Sequence, residues 1–226
     1  MDNPWLEPLP SEGPYVLDMD HEAINRYNDT VRYPEAKVIL GSIPEPFIGN
    51  PASARVILLN LNPGHSEINE KEHNRVDLRK AMLHNLRHEP QEYPFYPLNP
   101  EFKGTGVAEW WRPILGKLHK EPGLDAPTIA RGLLVIEWFP YHSKKSALPP
   151  KVVCESQIYS FQLARDMLEK RGAVGVVMRS MDHWVSADPW FGKVPFLKNR
   201  QRPWISRGNM DAGLFDRIVE ALRGAT

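Results

Sequence analysis

Arg55-Val56-Ile57-Leu58-Leu59-Asn60-Leu61-Asn62-Pro63-Gly64 is the stretch on which the fold turns. Four consecutive apolar residues, Val56 to Leu59, leave no side for water, the pattern of a strand covered on both faces in a parallel sheet. Asn-Pro-Gly then ends it, because proline lacks a backbone donor and asparagine and glycine accept turn conformations. A strand is predicted over 55–61, followed by a tight turn.

Runs 132–139 and 173–178 have the same character, and helical periodicity fills the gaps. One helix is predicted over 76–86, ahead of Pro90. A second is capped by Thr105 and carries Val107, Trp111, Ile114 and Leu118 on one face. In a third, Ile158, Phe161, Ala164 and Leu168 precede a stop near Gly172. A short strand is expected around 194–197, and a last helix over 210–223 with Asn209 as its cap. Strands alternating with helices predict an α/β domain with a parallel sheet.

In such sheets ligands bind outside the carboxyl ends of the strands, where crossover loops diverge. Those loops are 60–67, 140–146 and 179–184, and each carries a histidine: His65, His142 and His183. Lys144, Lys145 and Arg179 add positive charge. Residues 189–209 hold five basic side chains (Lys193, Lys198, Arg200, Arg202, Arg207) and no acid, interleaved with Trp190, Phe191, Phe196 and Trp204. Cations on phosphates and aromatic faces on bases make this the best nucleic-acid candidate.

The 226 residues suit one domain spanning 1–226, with 28 basic and 28 acidic residues balancing to zero, so contact with a polyanion falls to these local basic loops. The 22 prolines concentrate before residue 50 and between Pro90 and Pro100, which predicts an N-terminal arm over 1–50 that, with a helix, packs on the domain. Cys154 is the single cysteine, which excludes a disulfide framework, a cysteine zinc site and an iron-sulfur cluster within one chain. No signal-like start or membrane-length apolar run is present, so a cytoplasmic monomer without membrane contact is expected. His65, Glu67, His73, His142 and His183 show no compact metal-ligand spacing, and phosphate-loop and dinucleotide glycine motifs are absent; neither metal nor cofactor is expected.

Leu61-Asn62-Pro63-Gly64 resembles the site-opening motif of the uracil-DNA glycosylase superfamily, Gly-Gln-Asp-Pro-Tyr or, in the mismatch-specific branch, Gly-Ile-Asn-Pro-Gly. Here Asn60 stands where the leading glycine would be. The resemblance implies a three-layer α/β/α fold around a central, mostly parallel four-stranded sheet. It also implies base recognition, with N-glycosidic hydrolysis on DNA or a related nucleic acid.

Carried over by position, Asn62 orients the attacking water and Pro63 and Gly64 help shape the base site. Phe95 stacks on the flipped base, and Glu137 stands where many members read the base with asparagine. The C-terminal His-Pro-Ser-Pro motif corresponds to 199–206, which has no histidine, so His65 or His142 is the expected donor to the departing base. Lys144, Lys145, Arg200 and Arg202 would hold the strand. Because glycine, asparagine and histidine of the family pattern are all replaced, an inactive nucleic-acid or nucleotide-binding module and a small-molecule hydrolase stay open as alternatives.

Overall fold

A computed structural model describes residues 2–225, with the side chains of all but Glu67, Asn69 and Glu70. The chain is an α/β protein with one four-stranded sheet and, among the described residues, eight α-helices. The strands are β1 (Phe47–Ile48), β2 (Val56–Asn60), β3 (Leu133–Glu137) and β4 (Val174–Val177), in the order β1-β3-β2-β4. Strand β2 runs parallel to both β3 and β4, with Asn60 opposite Glu137. Every residue of these three strands is buried, which is why their sequences run apolar without alternation until the polar ends of β2 and β3, Asn60 and Glu137.

The sheet departs from the expected arrangement at both edges. Strand β1 pairs antiparallel with β3, Phe47 opposite Ile136, and comes from the proline-rich segment where no strand was expected. At the other edge, 194–197 forms only a single parallel bridge between Val177 and Phe196. Pro195 has no N–H to extend that ladder, and the Phe196 side chain is exposed.

Among the helices, α1 (Asp18–Thr30) lies in the N-terminal segment, whose Trp5, Tyr15, Leu17 and Ile24 join the common core. Helices α2 (Glu67–His73), α5 (Ala126–Gly132) and α7 (Met181–Ala187) were not anticipated. For α5 the start signal was nevertheless written locally: Asp125 caps it through Oδ1, which accepts the Thr128 N–H at 2.9 Å. Helix α3 (Val76–Leu86) spans the predicted residues. Helix α4 (Gly106–Leu115) is capped by Thr105 as predicted, its Oγ1 accepting the Ala108 N–H, but stops short of Leu118, which buries itself in a separate 3-10 turn. Helix α6 (Gln157–Arg165) widens into a π-helical turn over Asp166–Lys170, which carries Met167 into the core.

Helix α8 (Ala212–Arg223) begins after Asp211, not at Asn209. The Asn209 side chain clamps the preceding loop instead: Oδ1 accepts the Asn199 N–H at 2.6 Å, and Nδ2 donates to the carbonyls of Arg202 at 2.9 Å and Trp204 at 3.0 Å. No helix among the described residues is long and apolar enough to cross a membrane.

Candidate functional site

The site begins where β2 and β3 end side by side. Asn60 and Glu137 close these strands as an aligned pair, and Asn60 Nδ2 donates to Glu137 Oε1 at 3.0 Å. Beyond them the loops stay together: Phe139 N–H donates to Leu61 O at 2.8 Å, and Gly64 and Ser143 form a parallel bridge. Helix α4 and Arg179, just past β4, complete the wall of a cavity of about 370 Å³. Asn60, Asn62, His65, Trp110, Glu137 and Arg179 all line it.

Both amide hydrogens of Asn62 are committed, to Pro63 O and Ser143 Oγ, each at 3.0 Å. What the side chain has left to offer is the acceptor Oδ1, the atom needed to orient a water. Glu137 is buried, and desolvation raises its pKa to about 8; Glu45 adds to the rise, while the Asn60 hydrogen bond and Arg179 oppose it. Its Oε2 has no hydrogen-bond partner in the protein. The Arg179 guanidinium lies 5.0 Å from the ring centroid of half-exposed Trp110, so an aromatic face and a cation stand together at the wall. Burial lowers the Arg179 pKa, with Glu137 working against that.

The structure brings together Asn62, Pro63, Gly64, His65, Glu137 and Lys144 among the residues singled out from sequence. Gly64 has no positive φ, and a Cβ there would meet nothing within 4 Å, so it is not held to glycine by crowding. The remaining residues fall elsewhere. Phe95 is fully buried, packs edge-on against Trp111 at 5.4 Å and does not line the cavity; it fills the core, and the aromatics at the wall are buried Trp111 and half-exposed Trp110.

His142 is also fully buried beneath the loops rather than open to the cavity, because its ring is spent on backbone carbonyls. His183 bonds to Leu148 O at 2.9 Å and stays outside. Lys145, Arg200 and Arg202 are exposed and do not reach the cavity, since Asn209 holds the 199–204 loop in its own compact turn. Sequence reasoning did not assign Glu45 or Trp110 to the cavity, and it took Arg179 only as positive charge in the third loop. Trp110 left a trace, a large aromatic just off the buried stripe of α4, but Glu45 in a proline-flanked segment left none.

Glu45, His73 and His142 form a buried cluster behind the cavity, with one potential ligand atom of each within 4.8 Å of the others. Glu67, the other acid considered for a metal, has its side chain outside the described residues. The cluster's donors and acceptors are largely spent on protein. His142 faces Gly64 O at 2.7 Å with Nδ1 and Ile43 O at 2.9 Å with Nε2, so both ring nitrogens are already turned to backbone carbonyls. Glu45 Oε2 lies 3.4 Å from His142 Nε2, and Oε1 accepts the Tyr96 hydroxyl. Burial pushes the Glu45 pKa up, while His142 and Tyr96 pull it back. His73 Nδ1 accepts the Ile43 N–H at 3.2 Å, which places the ring proton on Nε2, the atom a metal would need bare.

Burial, and the charges of His142, His65 and Arg79, lower the His73 pKa to about 2. The unfolded state then takes up a proton below the ordinary histidine pKa near 6.5 that the folded state refuses, so stability is present above that value and lost as pH falls. We expect a loss on the order of 2–3 kcal/mol between pH 6.5 and 4.5 from this residue. His73→Gln, which keeps an acceptor for Ile43 N–H, should flatten that limb in urea unfolding; an unchanged slope would remove His73 as its source.

Fold and site together define an α/β protein with a buried carboxyl and an aromatic wall at the ends of its parallel strands. No family model, curated protein or solved structure matches the chain.

Proposed function

We propose that the chain is a divergent member of the uracil-DNA glycosylase superfamily, with its three-layer arrangement. It takes a base flipped from a nucleic acid into the cavity, and hydrolyses its N-glycosidic bond. One observation carries this reading: Asn62, in the loop that follows β2, and Glu137, the last residue of β3, line the same cavity at the carboxyl edge of the sheet. A cavity of about 370 Å³ has room for a single ring system and a water. Asn62 Oδ1 orients the water toward the sugar carbon; as that C–O bond forms, the C–N bond breaks, its electron pair leaves on the base, and the water's surplus proton is released to solvent. His65 donates to the departing base, Trp110 stacks on it, Glu137 reads its edge, and Lys144 and Arg179 face the phosphates.

A catalytically inactive binding module is the second reading, favoured by His142 being spent on backbone carbonyls rather than facing the cavity. Single-stranded oligonucleotides carrying one uracil, hypoxanthine or xanthine, assayed for alkali-labile abasic sites, separate the two. Product from at least one of them supports the enzyme; binding without product supports the module. Trp110→Ala is expected to weaken oligonucleotide binding by about 5- to 100-fold in fluorescence anisotropy, the loss of one base stack. If no oligonucleotide binds, or if this variant binds as tightly as the parent, the cavity is not a base site.

A further inference from the structure

Two buried polar atoms at the cavity have no partner among the described residues, Glu137 Oε2 and Arg179 Nε, and only Glu137 is a carboxyl whose other oxygen is held. Asn60 Nδ2 fixes Oε1 at 3.0 Å, and Oε2 is left unsatisfied. A fixed carboxyl with one idle oxygen at a cavity is either an acceptor awaiting a donor or a hydroxyl awaiting an acceptor. The surroundings decide between them. Burial of the Glu137 carboxyl penalises a negative charge most, and Glu45, which lines the same cavity, adds to that penalty, while Arg179 works against it.

We propose that Glu137 is a hydrogen-bond donor, a neutral carboxylic acid whose Oε2–H takes a ring carbonyl oxygen, so that the cavity selects lactam or imide rings over amino-substituted ones. It does the work of an amide at a position where the chain carries an acid. The identity of the ring rests on the base-site reading above; the protonation of Glu137 does not. Charged groups around it are few: Glu45 from the segment before β1 favours the neutral form, Arg179 after β4 opposes it, and His65 and Lys144 come from the loops lining the cavity. With burial as the largest cause the pKa stands at about 8, so the acid form prevails at neutral pH and is lost above it. Asn60, its nitrogen turned to Glu137, keeps Oδ1 as the acceptor for a neighbouring ring N–H.

Two measurements on the full chain test this. In infrared difference spectra at pH 7, the parent should show a protonated carboxyl stretch that Glu137→Gln lacks and that fades as pH passes about 8. In anisotropy with single-stranded oligonucleotides carrying one uracil or one cytosine, the parent should prefer uracil at pH 7 and lose up to about 10-fold of that preference by pH 9. Glu137→Gln, which supplies an N–H at every pH, should keep it throughout. A preference that is flat with pH in the parent, or absent in Glu137→Gln, overturns the proposal. Binding preference without a titrating band overturns the donor assignment alone. A titrating band with no oligonucleotide bound at any pH overturns the base-site reading and the ligand class with it.

Discussion

Asn62→Ala is expected to lower turnover at least about 100-fold while changing oligonucleotide affinity less than about 3-fold, because a group that only positions the water contributes in the transition state and not to ground-state binding. The split follows from geometry. Asn62 turns both amide hydrogens to Pro63 O and Ser143 Oγ, so only Oδ1 is left for a water, and in the proposed reading base stacking is assigned to Trp110 and not to Asn62. Losing two partly exposed hydrogen bonds costs on the order of 1–2 kcal/mol of stability, so the variant should stay folded, which a thermal melt checks. Asn62→Asp restores an acceptor and should recover about 10-fold of the lost turnover. Equal turnover in parent and alanine variant would take Asn62 out of the chemistry.

Gly49→Ala is expected to cost about 3 kcal/mol or more, read as a lower urea midpoint at unchanged m-value. Gly49 follows β1 with φ of 124°, a region side chains rarely adopt. A Cβ there would sit 2.4 Å from Leu133 O and 2.9 Å from Leu134 Cα, backbone atoms of β3 that cannot move without disturbing the sheet. The same turn is clamped by buried Asn85, whose Oδ1 accepts the Gly49 N–H at 2.8 Å while Nδ2 donates to Pro94 O at 2.9 Å. Gly64→Ala is the control: nothing lies within 4 Å of the added carbon, and its effect should stay within about 0.5 kcal/mol. Equal stability of the two variants would mean that β1 yields where the register of Ile48 with Val135 says it should not.

Strong local signals translated directly. The buried strands at 56–60, 133–137 and 174–177 announced themselves as unbroken apolar runs, and α3 and the Thr105 cap of α4 by periodicity and capping chemistry. Strand β1 was illegible because two residues carry no period, and its pairing with β3 is a long-range contact. Asn209 was misread for a related reason: the side chain that suits a helix cap also suits a loop clamp, and only the position of Asn199 and Trp204 selects between them.

The site divides in the same way. Sequence by itself determined that β2 runs into Leu-Asn-Pro-Gly and that β3 is a second buried strand, and so which strand ends to search; that Asn62 and Glu137 belong to one site was only an expectation from the family resemblance. Tertiary structure alone decided which aromatics face it, burying Phe95 in the core and leaving Trp110 and Trp111 at the wall, and it alone brought Glu45 to Glu137. A strand's end is fixed by its own apolar run and turn, whereas a side chain's exposure, partners and proton affinity depend on neighbours that other segments supply.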